Sequence, residues 1–350
     1  MIRQLTFHVQ KLLVRRLSSS LYQSLAGLPK LLMDFSLSRQ AAKTVSMFIE
    51  KPRRPTHSPQ IKPVYFFGRY RFSSFKLGGI YLIEALKKSG ITAASGKGYN
   101  STRIKNAVLV TVKQNYLGNL VPLKNNNNRI IVDVRDNYLR KDGVFHPDFF
   151  GRDLADVIIF SNRALLNRFL SIGPTTSRCR VLYGYADPAI RTFFSRYGYR
   201  KLTRLHCCYF GYHHNLDTDR LGRRPDLTQI PLTEHNFNRC LKKLRDYNMH
   251  VDVNPDPDAC RYKPLTKVLI AAQCRANIII RKSPRVLELL PADYPFFIEN
   301  GNIETVFETA QSLAGTPAWE ETLTVMDHIR EKYAFENHLA EFINILKEVS

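Results

Sequence analysis

Four short runs set the first limit on this chain: Val-Tyr-Phe-Phe at 64–67, Ala-Val-Leu-Val-Thr-Val at 107–112, Ile-Ile-Val-Asp-Val at 130–134 and Val-Ile-Ile-Phe at 157–160. They are rich in β-branched and aromatic residues and apolar at consecutive positions, whereas a strand with one wet face alternates. Strands of this kind are covered on both faces, as in a parallel sheet flanked by helices. Between the first two lies Gly-Gly-Ile-Tyr-Leu-Ile-Glu-Ala-Leu-Lys-Lys-Ser-Gly at 78–90. Its apolar spacing predicts a helix that opens on the glycine pair and stops at Gly90. The polar run at 125–128 reads as a surface turn before the next strand.

The same grammar restarts near residue 205. Strands are expected at 205–211, 250–253 and 276–280, with helices at 237–247 and 265–274. A Tyr- and Arg-rich connection at 189–204 separates the two series, so the chain reads as two Rossmann-like α/β units rather than a sequence repeat. Residues 319–349 read as two closing helices, with apolar positions at Leu323, Met326, Ile329, Tyr333, Leu339, Phe342, Ile343 and Leu346. The implied division is an extension and linker at 1–60, a first domain at 61–200, a second at 201–318, and the closing helices at 319–350. A chain of 350 residues with 44% hydrophobic and 23% charged residues can build two such cores.

Residues 1–33 contain no Asp or Glu, and Arg3, Lys11, Arg15, Arg16 and Lys30 flank an apolar stripe. Three readings stay open: a helix packed on the body, a helix lying on an anionic membrane surface, or an organellar transit peptide. Pro52, Pro55 and Pro59, with Pro63 beyond, rule out regular helix and mark a linker. No run reaches the ~18 apolar residues of a membrane span. The six cysteines lack paired C-x-x-C spacing, and no secretory signal is read, so reduced thiols in a cytoplasmic compartment are expected. The formal charge of +22, from 52 Lys+Arg against 30 Asp+Glu, calls for an anionic partner: phosphate-bearing substrate, lipid head group or nucleic acid. The basic residues are scattered and form no recognised RNA- or DNA-binding module, which ranks nucleic acid last.

The order of motifs resembles the glycosyl transferases of group 1, proteins of the GT-B kind with two facing Rossmann-like domains. Lys-Pro-Leu-Thr-Lys at 263–267, continuing to Ile280, is similar to the family's K-P-x-T-K pattern; Ser-Pro-Arg-Val-Leu-Glu-Leu at 283–289 is similar to the loop after its next strand. Tyr-Phe-Gly-Tyr-His-His-Asn at 209–215 resembles the opening of the donor domain, and Ala155-Asp156 through Ser161 resembles a further family stretch. Gly78 and Gly79 stand where such proteins carry a glycine loop facing the nucleotide. Tyr262 and Ile270 occupy the places of the family's Glu-x7-Glu pair, and Arg275 and Asn277 replace its Gly and Pro.

The resemblance implies transfer of a sugar from a nucleotide-sugar co-substrate to a glycan or lipid-linked acceptor, retaining and metal-independent, with no resident cofactor. Charge on the departing diphosphate would then be met by cations and backbone N–H groups. Lys263, Thr266 and Lys267 surround a helix start that favours anions, and Lys267 is the first candidate for stabilising the leaving group. Solvated first-turn lysines are the plainer alternative. Gly211, His213, His214 and Asn215 could meet phosphate or sugar, or simply form a loop. Gly78 and Gly79 suit anion approach or close packing. Glu288 is the nearest carboxylate left for ribose, or a surface cap. Asp136, next to Arg135 at a strand end, is the candidate for acceptor hydroxyls, or caps a turn. The missing Glu pair leaves a GT-B-like protein that binds without turnover as the alternative.

Overall fold

The computed structural model describes residues 61–68, 75–96, 104–113, 121–135, 152–211, 215–217, 221, 224, 226–231, 237–254, 260–299 and 302–350. The basic segment 1–33, the proline linker, Asp136, His213 and His214 lie outside the described residues.

The first sheet has six parallel strands, β1 (Val64–Phe67), β2 (Ala93–Ser95), β3 (Val108–Val112), β4 (Arg129–Val134), β5 (Val157–Phe160) and β6 (Arg178–Val181), in the order β2-β1-β3-β4-β5-β6. The expected apolar runs form its centre, and β3 and β5 are buried at every position. The strands that sequence reading did not anticipate are at the edges. β6 alternates exposed and half-buried residues, and β2 has only three residues, so neither carries a continuous apolar run. Helix α1 (Tyr81–Lys88) ends where Gly90 takes a φ of 79°, as expected, but it is entered through a π-helical turn, Lys76–Ile80, that contains both Gly78 and Gly79. Helices α2 (Val121–Lys124) and α3 (Arg163–Leu170) follow β3 and β5. The run at 125–128 is not wholly a surface turn: Asn128 is buried, its Oδ1 accepting from Ala107 N and its Nδ2 donating to Ile104 O and Leu123 O.

Helix α4 (Pro188–Tyr197) occupies the segment read as an irregular connection. It begins as helix starts do, with Asp187 accepting from Ala189 N and a proline in the first turn. The second sheet is also parallel, built from β7 (Cys207–Gly211), β8 (Leu227–Pro231), β9 (Met249–Asp252), β10 (Asn277–Arg281) and β11 (Phe297–Ile298) in the order β11-β10-β9-β7-β8. Helices α5 (Phe237–Leu244), α6 (Thr266–Gln273) and α7 (Ile303–Leu313) accompany it. At the end of α6, Arg275, where the resembled family has Gly, adopts a φ of 51°, the left-handed conformation that closes helices and that glycine adopts without strain. Ion pairs to Glu320 and Asp327, at 3.5 and 3.3 Å, hold it there.

The closing helices divide between the two cores. In α8 (Pro317–Lys332), Trp319, Leu323, Met326 and Ile329 join the core of the second sheet. In α9 (Phe335–Val349), Phe335, Phe342, Ile345, Leu346 and Val349 pack with Val64, Phe66 and Ile131 of the first sheet. The chain therefore returns to its first domain at residue 335. All six cysteines are free. Among the described residues no helix is long and apolar enough to cross a membrane.

Candidate functional site

The carboxyl ends of β7, β9 and β10 meet the start of α6. Gly211 ends β7, and a Cβ placed there would lie 2.9 Å from Tyr209 Oη and 3.4 Å from Lys267 Nζ. Glycine at 211 therefore lets the lysine lie against the end of the strand. Lys267 Nζ sits 3.7 Å from the centroid of the Tyr209 ring and 3.3 Å from Asp252 Oδ1. The nitrogen itself is buried, while the side chain as a whole is 23% exposed. The lysine charge opposes the upward push that burial gives the Tyr209 hydroxyl pKa. Burial, with Lys267 adding to it, holds His250 neutral, its pKa lowered to about 3. Of the helices with a described cap, α3, α4, α7 and α8 each begin on a side chain that accepts a backbone N–H, whereas α1, α6 and α9 begin on Ile80, Leu265 and Ala334, which supply none. The first N–H groups of α6 have no side-chain acceptor there.

Beside this helix start lies a cleft of about 240 Å³, lined among the described residues by Arg261, Arg281, Lys282 and Arg285 against one carboxylate, Asp252. Arg285 is 7% exposed, and burial lowers its pKa. It donates from Nη1 to Lys263 O at 3.0 Å and to Pro264 O at 3.5 Å, fixing the approach to α6. Ser283 Oγ and Arg285 Nε are buried without a partner.

In the first domain, a Cβ at Gly78 would stand 2.6 Å from Arg135 Nε, 2.7 Å from its Cζ and 2.9 Å from Val112; one at Gly79 would stand 2.9 Å from the Phe75 ring. The glycine pair thus gives room to a guanidinium and a ring. Arg135 donates from Nε to Asp133 Oδ2 at 2.6 Å. Nearby, Asp187 holds Lys76 Nζ and Tyr81 Oη, each at 2.8 Å, while the Tyr185 hydroxyl donates to Leu77 O. His338 donates from Nδ1 to Tyr183 O at 2.8 Å, since a carbonyl can only accept. Its Nε2 is buried without a partner, and burial together with the Arg135 charge lowers its pKa to about 3.

No protein-family model matches the chain, and no characterised protein matches it in sequence. Solved structures do. HepE of Anabaena in complex with UDP-glucose superposes with a TM-score of 0.54 at 10% identity, over 82% of this chain and 98% of that one. HepE with UDP and glucose gives 0.52 at the same identity and coverage. A TarM variant of S. aureus, in complex with fondaparinux, alpha-GlcNAc-glycerol and UDP, gives 0.51 at 11% identity, over 71% of this chain and 57% of that one. The fold is GT-B. At this identity the likeness carries the architecture and not the chemistry.

Within the GT-B frame, the structure brings Gly211, Thr266 and Lys267 together at one strand-helix junction, with Lys263 at its entry. Asn215 is half-buried in the loop after β7. Gly78 and Gly79 belong to the other domain, Gly78 against Arg135 and Gly79 against the Phe75 ring. Glu288 is taken up at the seam between the domains: its carboxylate accepts Arg163 N and Ala164 N, both at 2.8 Å, and the Tyr183 hydroxyl at 2.7 Å. It caps a helix of the opposite domain. Asn162, fully buried, reinforces the seam by accepting Leu165 N and donating to Tyr262 O at 3.0 Å and Lys263 O at 3.4 Å. Tyr262 and Ile270, at the places of the missing Glu pair, pack against the apolar cores of the first and second domains. Asp156 is structural, accepting Ile130 N at 2.8 Å.

Sequence reasoning missed Asp252, Arg285 and Tyr209 as site residues. Asp252 was accessible to the rule that ligands sit at strand carboxyl ends in open α/β sheets. Arg285 stood inside a motif already singled out. Nothing in the sequence placed Asn162, Tyr183 or His338 at the seam.

Proposed function

We propose that the protein is a glycosyltransferase that takes its sugar from a nucleoside diphosphate carrier bound to the second domain and passes it to an acceptor on the first. The observation that carries this reading is Lys267: a largely buried ammonium at a helix start without a side-chain cap, beside a glycine and a basic cleft. An ammonium held this way costs solvation, and a diphosphate recovers it through charge-assisted hydrogen bonds. HepE and TarM bind UDP on the same architecture.

In this reading the bond between the anomeric carbon and the β-phosphate oxygen breaks as the acceptor oxygen bonds to that carbon, and the acceptor proton goes to the departing phosphate. Lys267 and the α6 N–H groups offset the negative charge that develops on the leaving oxygen, as preorganised donors do in water-poor sites. Arg285 keeps the α6 entry in place. The reaction is retaining, metal-independent and needs no cofactor beyond the nucleotide sugar. Gly78, Gly79 and Arg135 face the acceptor side with Asp136 following, and the acceptor is a glycan or lipid-linked glycan. His213, His214 and Asn215 extend the donor loop. The acid-free segment 1–33 suits contact with an anionic membrane on the cytoplasmic side.

The test is thermal unfolding of the full chain with UDP, GDP, ADP and their sugars, followed by transfer and hydrolysis assays. A ligand that binds the native state raises the midpoint. Stabilisation lost in Lys267→Ala supports the donor site; no stabilisation by any nucleotide overturns it. A second reading, binding without turnover, rests on Tyr262 and Ile270 replacing carboxylates, and stabilisation without transfer or hydrolysis selects it.

A further inference from the structure

Asp252 is a carboxylate in a cleft whose other charged lining groups, among the described residues, are all cations. A basic cleft built only to hold phosphate gains nothing from an acid in its lining, since like charge opposes the ligand. The carboxylate is also not spent on the fold. Its ion pair with Lys267 runs at 3.3 Å through Oδ1, its side chain is 16% exposed, and among the described residues its carboxylate accepts no hydrogen bond. Asp252 closes β9, so its place is fixed by parallel pairing to β10, with Ile280 as its partner. The carboxylate thus stands at a strand carboxyl end and lines the cleft, with no hydrogen-bond donor on it among the described residues.

One other acid, Glu288, had a claim to the neutral, hydroxyl-bearing part of a nucleotide, and it is not free for it. Glu288 has its oxygens on Arg163 N, Ala164 N and the Tyr183 hydroxyl. Position 270 holds isoleucine, packed against the core.

We propose that Asp252 accepts hydrogen bonds from the ribose hydroxyls of the nucleotide, making it the residue by which this cleft selects ribonucleotides. An ionised carboxylate accepts two hydroxyls of a vicinal diol at once, and the same acid-to-ribose pairing recurs in other open α/β folds. With Lys267 paired to it and the arginines lining the cleft beside it, the phosphates and the sugar are sorted by charge around one carboxylate. The inference rests on the donor reading above. Asp256 and Asp258 lie outside the described residues, and the variant below separates Asp252 from them.

The experiment is calorimetric titration of the full chain, at fixed salt, with the uridine, guanosine and adenosine diphosphates and with the 2′-deoxy form of whichever binds. Tighter binding of the ribonucleotide by about tenfold or more, equal to ~1.4 kcal/mol per factor of ten, is expected in the unmodified chain. In Asp252→Asn the two forms bind within about twofold of each other, and diphosphate binding itself persists because Lys267 is released from its ion pair. Equal binding of ribo and deoxy forms by the unmodified chain overturns the role of Asp252 and leaves the donor reading standing, and needs no variant to fold. Discrimination that survives in a folded Asp252→Asn does the same. Failure of every nucleotide to bind overturns the donor reading and this inference with it.

Discussion

The carboxylate of Glu288, in the second domain, accepts the backbone N–H of Arg163, the first residue of a helix in the other domain, at 2.8 Å. With Ala164 N also at 2.8 Å, one side chain satisfies two of the donors that every helix start leaves open, across the seam between the sheets. An anion there is favoured by the helix dipole as well. Glu288→Gln keeps one acceptor oxygen and loses the charge, so the expected cost is about 1–2 kcal/mol. Thermal unfolding reads this as a fall of a few degrees, while nucleotides still stabilise the variant. If nucleotide stabilisation vanishes in a folded Glu288→Gln, the side chain is a ligand rather than a clasp.

Lys267→Ala removes the ammonium held 3.7 Å from the Tyr209 ring and leaves α6 intact, because alanine is the best helix former. A charge-assisted hydrogen bond to phosphate is worth roughly 1.5–3 kcal/mol, so nucleotide affinity drops about 10- to 100-fold. Titration calorimetry on the variant, with circular dichroism to confirm the fold, checks it.

Two glycines separate packing from binding. At Gly78 an added methyl meets a guanidinium already pinned to Asp133 and the Val112 side chain, so Gly78→Ala is expected to destabilise by about 1–3 kcal/mol through overpacking. At Gly211 the same methyl meets Tyr209 Oη at 2.9 Å and lies 3.4 Å from Lys267 Nζ. Gly211→Ala therefore costs nucleotide affinity more than stability. Urea unfolding and nucleotide titration on both variants should show opposite rankings.

His250 and His338 are both held neutral by burial, their pKa values lowered to about 3. The unfolded chain binds these protons near pH 6.5, so between pH 6.5 and about 3 it carries more protons than the native state. Stability is therefore complete above pH 6.5 and is lost as pH falls through that window, by up to about 1.4 kcal/mol per pH unit for each histidine. His338→Asn keeps a donor for Tyr183 O and removes one of the two titrations. Its stability, measured by urea unfolding from pH 7 to 4.5, should fall less steeply than that of the unmodified chain.

Phe342 of α9 lies 5.9 Å, centroid to centroid, from Phe66 on the first strand. Phe342→Ala should cost about 3–5 kcal/mol, and the loss should appear in the first domain, at the far end of the described sequence. Hydrogen exchange that accelerates in β1 and β3 while β9 and β10 stay protected would confirm it; uniform acceleration would show that the two cores unfold together.

The central strands were legible from sequence because a strand buried on both faces has to be apolar at every position, as β3 and β5 are. The parallel α/β class and the restart near 205 followed from that. The edge strands β6 and β8 and the helix at Pro188–Tyr197 were not legible, since a half-wet element carries too little pattern to stand out from a polar connection. The site divided in the same way. Lys267 and Gly211 could be named because a basic helix start and a glycine at a strand end are local features, fixed within a few residues of chain.

What joins them is not local. That Gly211 lets Lys267 lie beside Tyr209, that Asp252 faces a cleft of arginines, and that Glu288 caps a helix 125 residues earlier depend on how sheet and helix pack. Local sequence sets which residues are apolar and which helix ends are open, because backbone hydrogen bonding and burial act on each element in turn. Which carboxylate meets which cation is decided only when the elements pack, since side chains distant in sequence then share one small, water-poor volume.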